Sequence, residues 1–239
     1  MNNDFKVAGW KQDVFSQSST RLHIVGEPRF YKGVMYRYGR AGASNLSAGK
    51  LAVSADCAAA HVNLAAVAAA VGDRQLTLTV TAGTAILADE LKGGQLQIND
   101  AAGEGQYYEI ASNTAITTTG ISIVISLDEP INTALTTSSE FSLIHSPYND
   151  VIESTTVTQP VGIPRIVVTA AYYAWFQTTG LGIVLVQETT GTGNAYEQSS
   201  DVAGAVNTID TDATEGKVGW CHGTAGVATE YKPIWLTIG

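Results

Sequence analysis

The sequence predicts a mainly β fold: short-stranded β-barrel or sandwich units with an extended N-terminal arm and at most one short helix. Three observations carry this. Apolar and polar residues alternate with period two in many short runs. Gly, Asn, Asp and Pro punctuate the ends of those runs. Charged residues make up only 15% of the 239-residue chain, against roughly 25% in an average soluble domain. Such a composition favours tight turns and broad contact surfaces over long solvated helices.

Taken in order, residues 1–30 read as a polar arm with scattered aromatics at Phe5, Trp10 and Phe15. Phe30, Val34, Tyr36 and Tyr38 share one parity around Gly33, as a strand with turns at Gly39–Gly42 and Gly49 requires. Residues 57–71 are rich in Ala, the best helix former, and end at Gly72-Asp73; they are the one predicted helix. Strand patterns then dominate. Leu76, Leu78 and Val80 alternate with Thr. Leu96 and Ile98 lead into a turn through Gly103 and Gly105, after which Tyr108 and Ile110 resume. Ile121, Ile123, Ile125 and Leu127 alternate mostly with Ser, and Phe141 and Leu143 form a further short strand.

Three apolar runs follow at 166–169, 172–177 and 181–187. In the second, Tyr172, Ala174 and Phe176 oppose Tyr173 and Trp175, as expected for burial on both faces. The third is apolar on both parities and is also expected to be buried on both. The last strands centre on Val218 and Trp220, then Ile234, Leu236 and Ile238. The stretch 146–164 holds three prolines and suggests a boundary, giving an arm (1–30), a first β unit (31–150) and a second (151–239). Residues 188–216, rich in Gly, Thr, Asn and Ser, read as a long exposed loop.

The net charge of −9 argues against binding driven by nucleic-acid phosphates. Its distribution is uneven: the first 50 residues carry +5 and the remainder −14. A basic arm on an acidic body suits docking on an acidic partner, a neighbouring copy included. No apolar run approaches the roughly 20 residues of a membrane span. The start of the chain lacks the apolar stretch of a signal peptide, so synthesis in a cytoplasm is expected, with Cys57 and Cys221 as free thiols.

No P-loop, nucleophile elbow or H-E-x-x-H motif is present. Cys57, His61, Cys221 and His222 include zinc-ligand types, but no C-x-x-C pair anchors them; buried cysteines and ordinary histidines are the expectation. Asp128-Glu129 and Asp210/Asp212 are the acidic pairs a glycosidase would need; both sit where turn acids are expected. The run Tyr172–Phe176 suits packing more than sugar stacking. No catalytic residue, cofactor or metal is therefore assigned.

An ordered set of motifs resembles tailed-bacteriophage capsid decoration (cement) proteins, which are encoded near the major capsid protein. It begins with Tyr36-Arg37-Tyr38-Gly39-Arg40-Ala41-Gly42-Ala43 and Ala48-Gly49-Lys50-Leu51. Gly93-Gly94-Gln95-Leu96-Gln97-Ile98-Asn99-Asp100, Gly103-Glu104-Gly105 and Tyr108 follow. Next come Leu127-Asp128-Glu129-Pro130, Ala134-Leu135-Thr136, Ser142-Leu143 and Pro147-Tyr148. Val161-Gly162-Ile163-Pro164, Ala170 through Gln177, and Val218-Gly219 close the set. The resemblance spans roughly residues 30–239, is weak over 188–216 and is absent from the arm.

It implies a non-enzymatic virion protein on the capsid exterior, with the major capsid protein and copies of itself as partners. A homo-oligomer is expected, and trimers suit three-fold capsid positions. The expected contact residues are Phe5, Lys6, Trp10, Lys11, Phe15, Arg21, Arg29, Arg37 and Arg40. A tail or fibre adhesin for host glycans is the alternative.

Overall fold

The computed structural model describes residues 11–83, 85–189, 191, 193–209, 216–223 and 227–238. Strands β1 (Pro28–Tyr31) and β2 (Val34–Arg40) form a hairpin, and β3 (Ala52–Ser54) follows. Then come β4 (Leu64–Ala65), β5 (Gln75–Thr79), β6 (Gln95–Asp100), β7 (Tyr107–Asn113), β8 (Ser122–Leu127) and β9 (Glu140–Ile144). The rest is β10 (Val151–Ile152), β11 (Pro160–Pro164), β12 (Tyr173–Gln177), β13 (Thr179–Leu185), β14 (Ala195–Gln198), β15 (Val206–Thr208), β16 (Lys217–Cys221) and β17 (Tyr231–Thr237). The chain is mainly β, as its alternation predicts.

Two compact units result. One is Asp56–Ser146; the other is built from the chain before and after it. The boundaries expected from sequence, 31–150 and 151–239, divide the chain differently. The prolines at 160 and 164 lie within β11, which pairs with β3 and β12, so this stretch completes a sheet rather than linking two units. Only Pro147 falls at a boundary.

The discontinuous unit holds two antiparallel sheets, ordered β1-β2-β12-β11-β3-β10 and β13-β17-β16-β14-β15. Val53 and Ile163 from the first sheet share a core with Val184, Tyr196, Val218, Ile234 and Leu236 from the second, which makes this unit a sandwich. Strand β12 is buried on both faces, as its aromatic pattern predicts. Ala174 and Phe176 pack with Leu46 and Val161, whereas Trp175 packs with Tyr36, Tyr38 and Val14.

Asp56–Ser146 forms one six-stranded antiparallel sheet, β4-β9-β6-β7-β8-β5. Its alternate residues, among them Leu78, Leu96, Ile110, Ile123 and Phe141, converge on a single core. A lone sheet buries one face in one cluster by curling around it, as barrel-like units do. The sequence pair Gly103 and Gly105 supplies the β6–β7 turn, with both residues at positive φ.

The expected helix at 57–71 does not form. Apart from a 3₁₀ turn at Ala59–His61, this run is extended and pairs at long range. Leu64 and Ala65 face Phe141 and Glu140 in β9. Ala66 N–H donates to Ser139 O at 2.7 Å, and Ala69 exchanges backbone bonds with Leu135. Asn63, at φ 52°, interrupts helical geometry. Small Ala side chains let the backbone lie close against the sheet, and tertiary pairing overrides their helix propensity.

Three further expectations are corrected. From residue 11 the N-terminal segment is packed on its own unit and does not project: Val14 is buried, and Trp175 Nε1 donates to Gln12 O at 2.9 Å. Gly39 lies inside β2 and not in a turn, and it is glycine there because Phe176 and Tyr148 O leave no room for a side chain. Residues 188–216 include β14 and β15, with Tyr196, Glu197, Gln198 and Val206 buried. Their polar groups satisfy backbone: Gln198 Nε2 donates to Thr156 O at 2.7 Å, and Glu188 accepts from Thr208 N–H at 3.0 Å.

Gly219 shows how tightly β16 meets β17. A Cβ there would run into the carbonyl oxygen of Trp235 and lie 3.1 Å from Leu236 Cα. Gly219→Ala is therefore expected to cost about 2–3 kcal/mol through forced strand separation. Thermal melting of the full chain checks this; an unchanged midpoint would contradict it.

Candidate interaction surface

The second sheet of the sandwich exposes an apolar face. Strict alternation puts Val184, Ile234 and Leu236 inward, so Leu181, Ile183, Tyr231 and Trp235 point outward. The ladder sets Leu181 opposite Trp235, Ile183 opposite Pro233, Leu185 opposite Tyr231, and Trp220 opposite Trp235. Directly opposed residues share a face. Leu181, Ile183, Trp220, Tyr231 and Trp235 are thus contiguous, and each is between 44% and 54% exposed. Scattered surface hydrophobes are ordinary; a joined set that includes three aromatic rings marks an interaction site. Lys217 places its ammonium 4.0 Å from the Trp220 ring centroid. This face corrects the expectation that 181–187 is buried on both sides: the inner parity is covered, and on the outer one Leu181 and Ile183 are exposed while Leu185 is buried.

The contact residues expected from sequence are placed differently. Phe5, Lys6 and Trp10 lie outside the described residues. Lys11, Arg21 and Arg29 come together around a shallow depression that also includes His23 and Glu27. Arg29 and His23 both pair with Glu27 there, His23 at 3.3 Å. Burial lowers the His23 imidazole below its ordinary 6.5. Phe15 is exposed, and the Arg165 guanidinium sits 4.5 Å from its ring centroid. Arg37 donates to Gly26 O at 3.0 Å and lies over the Tyr148 ring. Arg40 is half-buried on β2. The basic residues among those described thus form no single patch, and several are spent on intramolecular contacts. Sequence reasoning missed the aromatic face because Trp220 was read only as part of a closing strand and Tyr231 and Trp235 were assigned no role.

Among the described residues no three of His, Cys, Asp or Glu converge to hold a metal ion. Asp128 and Glu129 are exposed at the end of β8, where Glu129 accepts from the Glu109 N–H at 3.4 Å. Asp210 and Asp212 lie outside the described residues. The tyrosine and tryptophan run that suggested a sugar platform is largely core, with Trp175 1% exposed.

Cys57 couples to His145, a partner its i,i+4 neighbour His61 suggested in kind but not in position. The Cys57 thiol is the main influence raising His145, to about 9. His145 in turn lowers Cys57. The side-chain hydrogen bond between the two groups is the largest cause of both shifts, and their charge interaction is smaller. The pair titrates as a unit. A thiol held below its ordinary value carries more thiolate at neutral pH. Cys57, which is half-buried, is expected to react with iodoacetamide at pH 7 well ahead of the buried Cys221. His145→Gln should move the midpoint of that reaction to higher pH. Equal labelling of both cysteines, followed by peptide mapping, would contradict this.

No family model, no curated protein and no solved structure matches this chain. Its function is therefore argued from its own surface.

Proposed function

We propose that this protein is a structural component of a tailed-phage virion, binding the outer surface of the assembled capsid and stabilising it. The exposed face formed by Leu181, Ile183, Trp220, Tyr231 and Trp235 carries this reading. An exposed apolar sheet face suits a protein that works by covering another protein, and its aromatic content suits the centre of an interface. The ordered motifs over 30–239 that resemble decoration proteins support the same conclusion. A ligand that binds only the assembled shell stabilises it by RT ln(1 + [L]/Kd), about 2.7 kcal/mol per site at 100-fold saturation. Repeated over a shell, such increments oppose the pressure of the packaged genome. Homo-oligomers, trimers included, are compatible with this mode of binding.

The expected contacts shift accordingly, from the basic arm to the aromatic sheet face. Removing residues 1–30 would strip Val14 and Gln12 from Tyr38 and Trp175. That truncation would test stability before it tested binding. The informative experiment is sedimentation of purified protein with heads from phage carrying a disrupted copy of this gene. Saturable binding at a fixed number of copies per head is expected. Protein that stays in the supernatant at every concentration would overturn the reading.

A tail or fibre adhesin for host glycans is the second reading. It is favoured by the exposed indoles of Trp220 and Trp235, because exposed aromatic faces suit stacking on sugar rings. Saturable binding to host polysaccharide with none to heads would select it.

A further inference from the structure

We propose that the free edge of β13 is a docking groove for an extended peptide segment carrying a carboxylate side chain. This goes beyond the particle assignment: it concerns the chemistry of the ligand and holds whatever structure presents it. Strand β13 is the outermost of its sheet. Beside it lies a groove of about 460 Å³, whose walls include Tyr36, Arg165, Gln177, Leu181, Ile183 and Tyr231.

The direction of the strand's polar groups follows from its partner. Ile183 lies opposite Pro233. Pro233 O accepts from His222 N–H at 3.0 Å, so the polar side of Pro233 faces β16. The Ile183–Pro233 pair is then a non-hydrogen-bonded pair, and the N–H of Ile183 points to the open edge. The same alternation applies two residues either way. Leu185 N–H donates outward to Gly49 O at 2.9 Å. Leu181 O is held by Gln177 Nε2 at 3.0 Å. Between these two internally satisfied groups, the Ile183 N–H has no acceptor among the described residues.

The charge in the groove is one-sided. Arg165 is the sole charged side chain among its lining residues, and no carboxylate faces it. The guanidinium donates to Tyr36 Oη at 3.3 Å and stacks on Phe15, with no ion pair among the described residues. An uncompensated cation is notable on a chain whose remaining residues are strongly acidic overall. A strand-edge donor, a guanidinium and an exposed tyrosine ring ask for a ligand of matching shape. An extended backbone would supply a carbonyl to Ile183, and an acidic side chain would pair with Arg165. An acidic saccharide would use Arg165 and Tyr231 but has no need of the strand-edge N–H.

The test is a random heptapeptide display library selected on the immobilised full chain, with Ile183→Pro as counter-target. Proline is tolerated where an edge-strand N–H faces outward, so this variant removes the donor while leaving the ladder intact. Enriched peptides are expected to share one acidic position flanked by alternating apolar residues. Synthesised, they should lose about tenfold in affinity on Ile183→Pro and a similar factor on Arg165→Gln, with melting temperatures unchanged. Should Ile183→Pro not fold, the Ile183 amide resonance of the unmodified protein provides a separate readout; it should shift on peptide addition. Four results would overturn the proposal: no enrichment over the counter-target; enriched peptides without a carboxylate; an Ile183 amide that does not respond; or binding of trigalacturonic acid that Arg165→Gln abolishes and Ile183→Pro leaves intact.

Discussion

Replacing Trp175 with alanine is expected to lower the unfolding free energy of this protein by about 3–5 kcal/mol. The side chain is 1% exposed at the centre of the first sheet of the sandwich. Its ring lies 5.0 Å from those of Tyr38 and His23. Its Nε1–H donates to Gln12 O at 2.9 Å, which ties the N-terminal segment to β12. The substitution therefore opens a cavity and leaves a buried carbonyl without its donor. A loss of this size is a large share of the roughly 5–15 kcal/mol that holds a typical domain together. Trp175→Phe keeps most of the ring and loses the hydrogen bond, so about 1–2 kcal/mol is expected. Urea unfolding followed by circular dichroism measures both. A Trp175→Ala protein within 1 kcal/mol of the parent would contradict the placement of this residue in the core.

The opposite outcome is expected on the second sheet. Trp220 and Trp235 face each other across the β16–β17 ladder with their side chains in solvent. About half of each indole is already exposed, so the Trp220→Ala/Trp235→Ala protein should lose far less stability than Trp175→Ala and remain folded. Its binding should fail. Aromatic anchors at the centre of an interface commonly contribute about 2 kcal/mol or more each, at least roughly 30-fold in affinity. Sedimentation with heads that lack the protein checks this, with the melting temperature as control. Unchanged binding would move the contact surface away from this face.

The contrast between Trp175 and Trp235 shows what the sequence made legible. Aromatics on both parities of 172–177 announced a strand buried on both sides, and β12 is one. The same logic failed for 181–187. A run apolar on both parities is the pattern of a doubly buried strand, but it is equally the pattern of a strand whose outer face awaits a partner. A single chain cannot distinguish the two, because both keep apolar residues for the same physical reason.

The inserted unit was hidden for a different cause. Strand β3 ends just before Asp56 and pairs with β10 and β11, which lie beyond Ser146. Such closure involves residues far apart and leaves no mark on local composition. Residues 57–71 misled because alanine's helix propensity is a local quantity, while their pairing with Ser139 and Leu135 is not. In 188–216, Gln198 and Glu188 read as loop residues by type, yet they serve to satisfy backbone groups at a sheet edge. The basic residues of the first 50 positions were legible as a charge asymmetry. Their dispersal was not, because Glu27, Gly26 O and Tyr148, which engage Arg29 and Arg37, are brought to them only by folding.

Binding to the head of a phage particle is the function proposed for this protein. Immunogold electron microscopy of intact virions, with antibody raised against the full chain, tests it most directly. Even labelling over the head surface is the expected result. Labelling confined to the tail or its tip would contradict the claim and select the glycan-binding reading of the Trp220–Trp235 face.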